Sequence, residues 1–177
     1  MKKIIDFIKI KNFGLVLIII FLYSACNSKS DVPHLTMPNN GLTFKEIENY
    51  KNYKIIATHF RKDKNELRYI LANETAYEAY INHLKFSDGS KIVKIGWDAK
   101  EMPNFKSALE ANEIQRVEYM IKDSHKFNKN PGNWGYARFV KKQGKYSSWK
   151  KGTNSCINCH NLAKDNDFLF TKFQHLQ

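Results

Sequence analysis

Cys156-Ile157-Asn158-Cys159-His160 decides how this chain is read. Two thiols three positions apart can each add to one vinyl group of a haem, and the adjacent imidazole then lies under the iron. The same pattern also fits half of a structural zinc site or a redox dithiol. Zinc wants two more Cys or His ligands at a comparable spacing, and no second pair stands in the sequence. The expectation is one covalent haem c, linked through Cys156 and Cys159, with His160 as the axial ligand of the iron.

The remaining cysteine, Cys26, stands near the start. Lys2, Lys3, Lys9 and Lys11 precede a short apolar run at 15–23, followed by Ser24-Ala25-Cys26. A basic segment, an apolar segment short for a membrane span, and small residues at a cut site make an export signal. Cysteine directly after Ser-Ala resembles a bacterial lipobox, although Tyr23 is atypical at its start. On this reading residues 1–25 are a lipoprotein signal peptide and Cys26 carries the lipid. An ordinary signal cut elsewhere, or an uncleaved anchor, fits the same residues. With one thiol on lipid and two on haem, none is left for a disulfide. The two motifs agree, because c-type haem is normally attached outside the cytoplasmic membrane. The chain is therefore expected on the periplasmic side of a bacterial membrane.

Taking 25 residues from 177 leaves 152, and losing four Lys and one Asp takes the net charge from +12 to +9. That length suits a single domain with a real core. A basic surface would steer acidic redox partners or anionic lipid headgroups. No aromatic-basic motif points to nucleic acid. Residues 26–42 are polar, hold Pro33 and Pro38, and read as a flexible tether. The domain is expected over 43–177, without internal repeats.

Thr43-Phe44-Lys45-Glu46 has capping-box spacing and predicts a helix to about residue 52. Stretches 53–60 and 66–72 are rich in β-branched and aromatic residues and predict strands. Ala76, Tyr77, Tyr80 and Ile81 recur at helical spacing within 74–85. Asp88-Gly89 is a turn before a strand over 91–97. Further strands are predicted over 114–122 and, after a turn at 130–133, over 134–142. The haem motif falls in a loop or short helix, and 168–173 reads as a terminal strand. Four to five strands with a few helices make an α+β domain built on an antiparallel sheet.

Alternation puts three charges among apolar residues. Arg68 shares a strand face with Ile70 and Ala72. Lys94 shares one with Ile92 and Gly96. Glu118 shares one with Met120, and with Arg116. A charge on a buried face is costly unless paired or functional. The alternative is that these faces are solvated and the opposite residues, such as Leu71, Val93 and Val117, form the core. Pattern alone does not choose.

Several stretches together resemble the cytochrome P460 family and its relative, the beta type of cytochrome c-prime. They are Leu67-Arg68-Tyr69, then Phe86-Ser87-Asp88-Gly89 with Lys94, then Val117-Glu118 running on to Lys122-Asp123. Asn130-Pro131-Gly132-Asn133-Trp134 follows, and last Cys156 to His160 with Asp167-Phe168 and Phe170-Thr171. The resemblance runs from about Thr43 to the end of the chain. It implies that Cys156 and Cys159 link the haem and that His160 is the proximal ligand of a five-coordinate iron. Lys94 matches the lysine that bonds to a haem meso carbon in the P460 branch. The c-prime beta branch lacks that bond. Glu118 matches a distal carboxylate used for proton transfer, and Arg68 a pocket arginine.

The activity implied is oxidation of hydroxylamine to nitrous oxide, with electrons leaving to a redox partner protein and a homodimer as the assembly. On this view Glu118, buried against Met120, has a raised pKa opposed by a nearby Arg68. A gas binder that holds nitric oxide without turnover is the second reading. Simple electron transfer is the third, and would need a strong sixth ligand among His34, His59, His83, His125, His175, Met37, Met102 and Met120.

Overall fold

The computed structural model describes residues 33–173, which belong to one compact unit. The signal peptide at 1–25 and the lipid site at Cys26 lie outside the described residues. Among the described residues, no helix is long and apolar enough to cross a membrane.

Six strands form one antiparallel sheet in chain order: β1 (Lys54–Arg61), β2 (Glu66–Ala72), β3 (Lys91–Met102), β4 (Phe105–Lys122), β5 (Trp134–Lys142) and β6 (Lys145–Ser148). Among the described residues, two short helices, α1 (Glu74–Ile81) and α2 (Asn154–His160), and five 3-10 turns complete the α+β domain. The meander follows from its turns. Gln143 and Gly144 join β5 to β6 with φ of 48° and 77°, the left-handed pair that a two-residue hairpin requires. Pro103-Asn104 joins β3 to β4, with Met102 paired to Phe105.

Two strands run well past their expected ends. β2 pairs with β3 only as far as Asp98, and β5 pairs with β4 only as far as Arg116. Beyond those points β3 and β4 continue as a two-stranded ribbon, from Ala99 paired with Ala111 to the turn. β6 is an unforeseen edge strand. The expected terminal strand at 168–173 is not a strand. Positive φ at Asp167 and Phe168 breaks the extended path there.

Both faces of the sheet are covered. On one face Leu71, Val93, Ile95, Val117 and Tyr119 pack with Met37, Leu42, Phe44, Ile47 and Tyr50 from the N-terminal segment. That segment corrects the expected tether. Residues 35–44 form a small hairpin, with the Met37 amide donating to Leu42 at 2.7 Å and the Phe44 amide to Leu35 at 2.9 Å. Met37 and Leu42 are each only 1% exposed, so the described part of 26–42 is anchored in the core by these two side chains. The predicted helix after Thr43 is instead two 3-10 turns, Phe44–Ile47 and Tyr50–Asn52, and Thr43 makes no side-chain cap.

On the other face Ile70, Ala72, Ile92, Met120 and Tyr136 meet α1 and Leu169. Asn73 fixes α1 to the sheet. Its Oδ1 accepts from the amides of Ala76 at 3.1 Å and Lys91 at 2.9 Å, capping the helix and a strand at once. This is the face that carries Arg68, Lys94 and Glu118.

Candidate functional site

Register lines up the charges. Ile70, Lys94, Glu118 and Arg138 form one row across β2 to β5, and Arg68, Gly96 and Arg116 form the row beside it. A cleft with a volume of about 240 Å³ opens over these rows. Lys94, Glu118, Met120, Tyr136 and Arg138 line its sheet wall, and Cys156, Cys159 and His160 line it from α2. Arg68 and His59 also reach it. The expected thiols, imidazole, lysine, carboxylate and arginine thus line one cleft, where Glu118 is buried and Arg68 and Lys94 are half-buried, while the opposite residues Leu71, Val93 and Val117 are core as well.

α2 is about two turns of helix, so Cys156, Cys159 and His160, at i, i+3 and i+4, fall close together around it. Its start is held by Asn39, whose Nδ2 donates to Thr153 Oγ1 at 2.7 Å. Cys156 is half-buried, Cys159 is exposed, and both are free thiols. Burial pushes the Cys156 thiol pKa up.

His160 Nδ1 donates to the Phe168 carbonyl oxygen at 2.6 Å. A carbonyl only accepts, so the proton sits on Nδ1 and the Nε2 lone pair is left for a metal. Tyr136 and Phe170 flank the ring, with centroids at 5.0 and 5.4 Å. Burial lowers the imidazole pKa and favours the neutral, ligating form. Two thiols and a neutral imidazole on one wall are the donor set a covalent haem needs. Among the described residues, no group of three or more His, Cys, Asp or Glu gathers to hold a metal ion in the manner of zinc.

Glu118 is the hub of the opposite wall. Lys94 Nζ lies 2.7 Å from its Oε2, Arg138 Nε bonds its Oε1, and Arg116 Nε stands 3.5 Å from Oε2. Burial raises the carboxyl pKa, but the attraction of Lys94, Arg138 and Arg116 outweighs it and holds the group at about 2. This corrects the expectation of a raised pKa, because burial brought three cations with it.

Arg68 is not the cation beside Glu118. It bonds Glu66, a second buried carboxylate that also holds Arg116. Glu66 is 3% exposed and lies over Gly96, where a Cβ would stand 2.9 Å from its carboxyl carbon. Sequence reasoning missed Glu66 and Arg138. Both share the strand parity of the three charges, and that parity was the signal available.

A search of curated proteins finds no match to the chain. The family model described as Cytochrome P460 matches residues 47–171, from the first 3-10 turn to the segment after the haem motif. That span takes in every sheet and helix residue of the cleft, and with it the chain belongs to the cytochrome P460 family of haem proteins.

Proposed function

We propose that this protein carries one haem c and oxidises hydroxylamine, with nitrous oxide as product. The observation that carries this reading is that Lys94 and Glu118 line the same cleft as Cys156, Cys159 and His160. Cys156 and Cys159 would form the thioether links, His160 Nε2 would bind the iron, and Lys94 matches the family lysine that is joined to the porphyrin. Haem supplies the redox chemistry when bound, and its surroundings tune it.

The chain's own groups orient and take protons. Glu118 is ionised at neutral pH and can accept hydrogen bonds from hydroxylamine and pass its protons on, but with its pKa held at about 2 it keeps none of them. Arg138 and Arg116 fix its position. Arg68 acts through Glu66, which holds Arg116 in place. Electrons leave to an outside acceptor protein. The basic charge of the chain favours an acidic one. We further place the protein on the periplasmic side of a membrane, lipid-anchored at Cys26, as a homodimer. Phe105 and Leu109, exposed on the β3–β4 ribbon, offer apolar surface for a second copy.

The test is the absorption spectrum of the reduced, haem-loaded protein beside Lys94→Ala. A strongly red-shifted Soret band that vanishes in the variant, with hydroxylamine turnover in the wild type, supports the enzyme. One observation favours the second reading, a nitric oxide binder without turnover. Lys94 is already held by a carboxylate, and an amine engaged in that contact is not free to bond elsewhere. Ordinary c-type spectra in both proteins would select that reading.

A further inference from the structure

Outside the cleft wall stands a further, largely covered ion pair with no part in the proposed reaction. Asp167 accepts from Lys122 Nζ at 2.8 and 2.7 Å, from the Phe86 amide at 2.9 Å, and from Trp134 Nε1 at 3.3 Å. The donors come from the end of β4, the loop before β3 and the start of β5, so one carboxylate ties three parts of the sheet to one point of the C-terminal segment. Trp134 is fully buried.

The backbone at that point is unusual. Asp167 and Phe168 both have positive φ, 46° and 68°. Aspartate tolerates this region, but phenylalanine seldom adopts it. Such a pair persists only where the surroundings over-determine it. Here the Phe168 amide donates to the Ala163 carbonyl at 2.9 Å. The Phe168 ring lies where a Cβ on Gly132 would be, 2.2 Å from the ring carbon Cε2. The product of this local fixing is the direction of the Phe168 carbonyl, which is the acceptor for His160 Nδ1.

We propose that Asp167 is a positioning residue for His160. Its carboxylate straps the 167–168 peptides to the sheet, and the strapped Phe168 carbonyl fixes the orientation and basicity of the imidazole. This rests on the reading that His160 binds the haem iron. A firm hydrogen bond at Nδ1 raises the ligand's basicity. A more basic ligand favours the oxidised iron. Loosening the strap therefore weakens the Nδ1 bond and shifts the balance toward the reduced protein.

The experiment uses the haem-loaded full chain, with two readouts: the reduction potential, and the iron–histidine stretching band of the reduced protein by resonance Raman. Asp167→Asn keeps the size but turns an amide toward donors. Asp165→Asn, an exposed neighbour, makes the same charge change without the strap. Asp167→Asn is expected to shift the reduced-to-oxidised ratio about tenfold toward reduced, ~59 mV for one electron, and to lower and broaden the band. Asp165→Asn is expected to leave both in place. Lys122→Gln, which removes the ion pair from the other side, should move both readouts in the same direction and serves if Asp167→Asn does not fold. A folded Asp167→Asn or Lys122→Gln with an unmoved band, or with a shift no larger than that of Asp165→Asn, overturns the proposal. If His160→Ala retains the band, the ligand assignment itself is wrong, and that outcome is distinct from failure of the strap.

Discussion

Lys94 and Glu118 are direct cross-strand partners on β3 and β4, and their charged ends meet at 2.7 Å. Two opposite charges opposite each other in a ladder are ordinary on a wet surface. Here the carboxylate is only 7% exposed. It is held from three sides, by Lys94, Arg138 and Arg116. The arrangement places a fixed negative charge and a lysine amine at one point of the cleft.

Removing the carboxylate leaves three cations facing one another. Breaking a buried ion pair from one side costs about 3–5 kcal/mol. Glu118→Ala is therefore expected to lower the unfolding free energy by about that amount in urea denaturation. Glu118→Gln, which keeps the size and an acceptor oxygen, should lose less. Hydroxylamine turnover should fall sharply in both. Full turnover in a folded Glu118→Ala protein would remove this residue from the proton path.

The pH dependence has a definite sign. The folded carboxyl is held at about 2, below the ordinary value of 4.5. A depressed pKa contributes stability that is present above 4.5 and lost as pH falls toward 2. The contribution is on the order of 3 kcal/mol for such a shift. Urea midpoints measured between pH 6 and pH 2 should therefore fall more steeply in the wild type than in Glu118→Gln. The same shift means that Glu118 does not titrate between pH 5 and 8. An inflection there in the turnover profile should survive Glu118→Gln in any residual activity.

Much of the site could be read before the fold was seen. Cys156, Cys159 and His160 are local in sequence, and their chemistry needs only their spacing. Strands 66–72, 91–97, 114–122 and 134–142 carry β-branched and aromatic residues at period two, and that period also exposed Lys94 and Glu118. What alternation within one strand does not give is register between strands. Register decides that Arg138 lies opposite Glu118, and the packing above Gly96 decides that Arg68 reaches Glu66. The ribbon beyond Trp97 was hidden for another reason. Ala99, Lys100, Glu101, Ala108 and Glu110 are helix formers with little alternation, and only their pairing across Pro103-Asn104 makes them strands.

Gly96 shows how the second carboxylate depends on a missing side chain. A Cβ there would stand 2.9 Å from both Glu66 Cδ and Oε2. Gly96→Ala must push Glu66 away from Arg68 and Arg116. The expected cost is about 1–3 kcal/mol, typical of overpacking a tight site. A crystal structure of the variant should show Arg116 turned further toward Glu118. An unchanged urea midpoint would mean that Glu66 moves freely and does not fix Arg116.

The N-terminal hairpin makes the last prediction, because sequence composition and packing disagree about it. Its polar residues and Pro38 suit a linker, yet Met37 and Leu42 enter the core beside Phe44 and Ile47. Asn39 reaches on to the start of the haem-motif helix. Truncating a buried large apolar side chain costs about 2–5 kcal/mol. Met37→Ala and Leu42→Ala should each lower the unfolding free energy by that amount. Asn39→Ala should cost about 1 kcal/mol and should loosen Thr153, seen as faster amide hydrogen exchange in α2. A chain shortened to begin at residue 43 should be less stable than either point variant, since it loses both side chains and the bridge between Thr36 and Thr43. Were the shortened chain to unfold at the wild-type midpoint, the hairpin would be a tether after all, and the odd-numbered face of the sheet would need another cover.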